Sequence, residues 1–160
     1  MQRSTETNGM TGFNVAQFNI ARMRAPITDP DMADLPQVLE HIDALGKQAD
    51  GFVWILDIDR TSNPAAVIAP YPDPLIIVNY TVWRDIDALW KFTYAGEHLQ
   101  VLRSRRDWFT PLGGPQNVLW WVPAGQIPTL DEAVERLEHL RQHGPTPHAF
   151  HFRARFEPTV

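Results

Sequence analysis

The chain has 160 residues and a formal net charge of -5, which suits one compact unit with a sizeable core and disfavours a general nucleic-acid binder, whose grip on phosphates needs a basic surface. It contains no cysteine, so disulfides, thiol nucleophiles and Cys-ligated zinc or iron–sulfur chemistry are excluded. No stretch approaches the roughly 18 apolar residues of a membrane span, and the polar start MQRSTETNGMTG lacks an apolar signal core, so a reducing, cytoplasmic setting without membrane or nucleic-acid partners is expected.

Residues 1–12 read as a disordered leader, and 13–160 as a single domain. Ala16, Phe18 and Ile20 alternate with Gln17 and Asn19, which predicts a first strand over 14–24. Leu35, Val38, Leu39, Ile42 and Leu45 follow helical spacing, and Pro36 suits a first turn, so a helix is expected over 35–48. FVWILDI (52–58) reads as a short strand before a proline-rich loop. LIIVNYTVW (75–83) is a third strand, followed by a helix from about Asp85 that Gly96 should bend or interrupt, and by a second helical piece over 97–108.

Pro111 and Gly113-Gly114-Pro115 then break the chain, and VLWWVPA (118–124) forms the next strand. Thr129-Leu130-Asp131-Glu132 is a capping box that opens a helix with Leu130, Ala133, Val134, Leu137 and Leu140 as its buried stripe, ending at Gly144-Pro145. Phe150, Phe152, Ala154 and Phe156 alternate with His151, Arg153 and Arg155, as in a charged edge strand.

The order β-α-β-β-α-β-α-β begins with the split βαβ unit of ferredoxin-like α+β folds, which places its helices on one face of an antiparallel sheet. The middle strands carry apolar residues on both faces, Phe52, Trp54, Leu56 and Ile58 opposing Val53 and Ile55, and Ile76, Val78 and Tyr80 opposing Leu75 and Ile77. A second copy burying the free face in a symmetric homodimer is therefore expected, with cover by the third helix and long loops as the alternative.

FNIARM (18–23), the pattern W-x6-W-x7-H-x2-VL-x3-R-x-WF ending at Phe109, LWWVPAGQIPT (119–129), EAVERLEHL (132–140) and GPTPHAFHF (144–152) resemble an uncharacterised bacterial domain-of-unknown-function family. The resemblance covers about residues 13–156. It implies membership of the dimeric α/β-barrel superfamily, beside antibiotic-biosynthesis monooxygenases, haem-degrading monooxygenases and muconolactone isomerases. A shared scaffold of that kind does not fix the chemistry, which has to come from the site.

His98 is the first candidate, because an imidazole moves protons near neutral pH. Trp90 and Tyr94 lie eight and four residues before it and share its face if the helix is continuous. Asn19, with Gln17 on the same strand face, can orient a ligand oxygen. Arg106, eight residues after His98, can grip a carboxylate or phosphate. Trp83 and Trp120 can line an aromatic cavity, and Trp120 and Trp121 must face opposite sides.

No G-x-G-x-x-G, P-loop, G-x-S-x-G or H-E-x-x-H motif is present, so nucleotide cofactors, serine hydrolysis and zinc proteolysis have no support. The reading is a homodimer that binds a small molecule and needs no metal or cofactor. It would act as a monooxygenase or isomerase on a small aromatic metabolite, with His98 as acid/base and Tyr94 assisting. The resemblance also implies an alternative, haem binding or degradation through His98, with Asn19 and Trp90 matching the asparagine and tryptophan of haem-degrading relatives. A non-catalytic ligand-binding or structural dimer is the third possibility.

Overall fold

The first strand decides the layout. In the computed structural model, which describes residues 12–57, 70–95 and 105–158, β1 (Phe13–Met23) lies at the centre of a five-stranded sheet. On one side it pairs with β3 (Ile76–Trp83), which in turn carries β2 (Phe52–Ile55) at the edge. On the other side it pairs with β5 (Asn117–Pro123) and, at its far end, with the two-residue β4 (Phe109–Thr110). Every pairing is antiparallel, and the order β2-β3-β1-β5 is that of a ferredoxin-like sheet curled into a half-barrel.

Among the described residues three α-helices cover this sheet. The first, α1 (Leu35–Gln48), matches the sequence reading residue for residue. The second, α2 (Ile86–Tyr94), starts where Asp85 Oδ1 accepts from the Ala88 amide at 2.8 Å. The third, α3 (Leu130–His143), starts where Thr129 Oγ1 accepts from the Glu132 amide at 3.1 Å. Glu132 does not complete the reciprocal capping box, because its carboxylate pairs with Arg136 at 2.8 Å.

The helices lie on both faces. Leu35, Leu39 and Phe92 bring α1 and α2 against the face that carries Val15, Met23, Ile77 and Trp83. Ala133, Leu137 and Leu140 bring α3 against Ala16, Phe18, Ile20, Val78, Tyr80, Val82, Val118 and Trp120. This corrects the expectation of helices on one face only. The third helix, named in the sequence reading as the alternative to a second copy, packs on this second face. Tyr80 fastens it: its hydroxyl donates to the carbonyls of Pro128 and Thr129 at 3.0 and 3.2 Å, and burial pushes its pKa well up.

Two further elements differ from expectation. Residues 150–156 form no strand, only a bridge between Phe150 and Leu119 followed by a tight turn, because Phe152 and Phe156 pack against the α2 side and Phe156 accepts from Trp121 Nε1 at 2.6 Å. Of the helical piece expected over 97–108, residues 96–104 lie outside the described residues, and Arg105–Asp107 make a single 3-10 turn leading into β4. Among the described residues no helix is long and apolar enough to cross a membrane.

The turn from α1 into β2 depends on Gly51, which has φ +83° and lies so close to α2 that an added Cβ would strike the Ala88 methyl. Gly51→Ala should therefore cost about 2 kcal/mol or more, from left-handed backbone and overpacking together. Urea melts check this, and a second substitution, Ala88→Gly, should recover the packing part and leave the backbone part.

Candidate functional site

Across the α1–α2 face of the sheet, residues in register share rows. One row is Trp121, Val15 and Trp83; the next is Leu119, Gln17 and Thr81; the third is Asn117, Asn19 and Asn79. Beyond it come Ala21 and Ile77, then Met23 beside Phe109. The face is apolar at both ends, where α2 and the C-terminal phenylalanines cover one end and α1 and Trp108 the other. Its middle is a strip of carboxamides and a hydroxyl.

The strip is partly tied together. Trp83 Nε1 donates to Thr81 Oγ1 at 2.9 Å, Thr81 Oγ1 donates to Gln17 Oε1 at 2.8 Å, and Gln17 Nε2 donates to Asn117 Oδ1 at 2.7 Å. Among the described residues Gln17 and Thr81 are the only polar side chains in the buried class, each 6% exposed, and they bond one another. Buried polar groups persist when satisfied in this way. Asn19, Asn79 and Asn117 are half-buried. Neither Asn19 nor Asn79 has a side-chain hydrogen bond among the described residues.

The structure distributes the residues singled out in the sequence. Asn19 sits in the middle row. Trp83 is buried at the end of the strip and stacks on Phe92, with centroids 5.1 Å apart. Trp120 faces the other way, fully buried under α3 with the Arg136 guanidinium 5.8 Å from its ring, so it cannot line the same cavity as Asn19. Trp121 takes the α2 side, as its neighbour requires.

Trp90 and Tyr94 are each 43% exposed and pack on one another and on Phe152, and Arg155 lies 5.6 Å over the Trp90 ring. They flank α2 and do not face the carboxamide row; Phe92 is the aromatic of α2 that faces the sheet. His98 lies outside the described residues. The continuous helix that would have aligned it with Trp90 and Tyr94 stops at Tyr94, with Ala95 already extended. Arg106 is exposed on its 3-10 turn. Of the three residues that the haem alternative names, Asn19 lies on the sheet, Trp90 contacts Tyr94, Phe152 and Arg155, and His98 lies outside the described residues.

Sequence reasoning missed Asn79, Thr81 and Asn117. The signal for the first two was present: within LIIVNYTVW only Asn79 and Thr81 are polar, and they are two apart, on one face.

A second polar cluster lies on the opposite side, where α3 meets the turn at Thr146–Ala149. The His139 ring stands 4.6 Å from both His143 and His148. His148 is held by Glu135 through Nε2 at 2.8 Å, and by Arg136, whose Nη1 lies 2.9 Å from its Nδ1 and donates to its carbonyl at 2.8 Å. Although the histidines are grouped, no set of side chains among the described residues is arranged to hold a metal ion. Burial, then the neighbouring His148 and His143, holds the His139 pKa below the usual histidine value.

A histidine depressed in the folded state binds its proton more readily when unfolded. Its contribution to stability is therefore intact above the unfolded pKa of about 6.5 and declines as pH falls below it. Between pH 7.5 and 5 the melting temperature of the wild type should fall more than that of His139→Gln. Parallel pH profiles for the two proteins would contradict this.

A family model for a domain of unknown function, DUF3291, matches residues 14–160. No curated protein matches the chain. Among solved structures the chain is similar to SnoaB, a cofactor-independent oxygenase from Streptomyces nogalater, with 19% identity, 71% of this chain and 95% of that chain covered and a TM-score of 0.46. It is similar to PA3566 from Pseudomonas aeruginosa, with 13% identity, 73% and 98% covered and a TM-score of 0.47. It is similar also to the NE2512 protein of unknown function from Nitrosomonas europaea, with 11% identity, 73% and 96% covered and a TM-score of 0.45.

Proposed function

The chain belongs to the DUF3291 family of domains of unknown function, and on that footing we propose that it is a small enzyme of the monooxygenase or isomerase type acting on a planar aromatic metabolite. The observation that carries the reading is the row Asn117, Asn19 and Asn79, three carboxamides in register in a layer that is apolar at both ends. A ligand pocket is typically apolar with a few fixed polar groups, and this strip has that composition.

The apolar ends would hold the rings, and the amide N–H groups of the row would meet a ring-bound oxygen. Such donors act most strongly on charge that develops during reaction. A base that removes a proton from the ring system leaves an electron pair that spreads onto this oxygen, and His98 is the proposed base. Reprotonation of the anion at another carbon is an isomerase step. Transfer of its electrons to dioxygen is the oxygenase step. Helices packed over the sheet would exclude water from the anion in either case.

Planar aromatic ketones and phenols, titrated against the protein, test the reading. Asn79→Ala and Asn19→Ala remove half-buried amides that have no bonded partner among the described residues, so each should shift the melting temperature by no more than a few degrees. Each should weaken binding or turnover of any ligand found by about 10²-fold, as loss of an oxyanion donor does. His98→Ala should remove turnover and keep affinity. Wild-type binding by both asparagine variants would show that the row is not the site.

A further inference from the structure

The hydrogen bonds beside the carboxamide row run in one direction, and the group at their origin cannot reverse. An indole N–H donates and never accepts. Thr81 Oγ1 therefore receives the proton of Trp83 Nε1, and its own hydrogen is left for Gln17 Oε1. With its oxygen accepting from Thr81, Gln17 turns its amide nitrogen to Asn117 and meets the Oδ1 there. Asn117 has its oxygen occupied, and no described group accepts from the N–H groups of its Nδ2. Turning Gln17 or Asn117 alone would set oxygen against oxygen or donor against donor, and turning both together would leave the Thr81 hydrogen without an acceptor in this chain of groups, at two middle positions that are only 6% exposed.

Resting on the reading of the row as a ligand site, we propose that Trp83, Thr81 and Gln17 are positioning residues that lock Asn117 as a donor. The row then selects a ligand that presents an acceptor oxygen at this point, such as a ketone or an enolate on a planar ring, and rejects one that presents N–H. Among the described residues no hydrogen bond fixes the side-chain amides of Asn19 and Asn79, so within that set each can turn either end to a ligand. The selection therefore comes from Asn117, whose orientation is fixed three residues away by an indole on another strand.

Two bicycles of nearly equal size, 1-indanone with an acceptor oxygen and indole with an N–H donor, serve as probes in calorimetric or NMR titration of the full chain. Wild type should bind 1-indanone at least about tenfold more tightly than indole, since a site that is built to bond one group rejects its opposite. Thr81→Val cuts the chain and should bring the ratio close to one; Thr81→Ser keeps the hydroxyl and should restore it. Asn117→Asp still accepts from Gln17 but offers the cleft an oxygen in place of the amide, and should reverse the preference.

Equal affinities in wild type, a preference that survives Thr81→Val, or an Asn117→Asp protein that still prefers the ketone would each overturn the proposal. Should Thr81→Val fail to fold, the Asn117→Asp reversal decides alone. Two probes that bind equally and are both lost in Asn79→Ala would overturn the polarity and leave the site standing. Binding of neither probe would overturn both.

Discussion

A buried N–H without an acceptor is costly, and the middle of the sheet is organised by how Trp83 finds one. Its indole is needed for packing, since it stacks on Phe92 and sits edge-on to Phe52, yet its nitrogen lies too deep for water. Thr81, two residues back on the same face, supplies the oxygen. That hydroxyl then needs a taker in turn, which draws in Gln17 from β1 and Asn117 from β5. One aromatic side chain thus commits three strands to a polar strip, and a strip of this kind is what an otherwise apolar layer requires before it can recognise anything but shape. Trp120 shows the other outcome: its nitrogen is buried under α3 with no partner among the described residues, and no polar strip grows from it there.

The two faces of the sheet accordingly divide their work. The face under α3 is apolar along its length, with Phe18 and Trp54 edge-on to Tyr80, and it holds the fold together. The face under α1 and α2 is apolar only at its ends, so its cohesion comes from two separate clusters with the carboxamides between them. Cohesion lost in the middle of one face is made up by α3 on the other. The helix that the ferredoxin-like unit does not need is the one that frees a face for chemistry.

Local signals were legible and distant ones were not. The spacing of Leu35, Leu39 and Ile42 located α1, and Thr129 located the start of α3, because both depend on neighbours within a few residues. Period-two alternation put Trp120 and Trp121 on opposite sides. The strip itself is built from contacts 64 and 100 residues apart in the chain, between Thr81 and Gln17 and between Gln17 and Asn117, so no window contains it. Asn19 was visible as a polar break in an apolar alternation. Asn79 and Thr81 carried the same signature but stood among more β-branched and aromatic residues, which masked it. The end of α2 at Tyr94 was also obscure, because Gly96 marked a break one residue beyond the extended Ala95.

The central position of β1 has a consequence for how the chain is made. β1 precedes the other described strands in the chain, and it needs β3 on one side and β5, ending at Pro123, on the other. Until about three quarters of the chain has been synthesised, β1 has one open edge, and the face that α3 will cover is bare. Long-range pairing of this kind is slow to form and exposed to misassembly in the meantime. Between the synthesis of Trp83 and that of Pro123 the nascent chain holds β1 and β3 without β5 or α3, and chaperones and neighbouring nascent chains can then compete for the surface that Leu137 and Leu140 finally close.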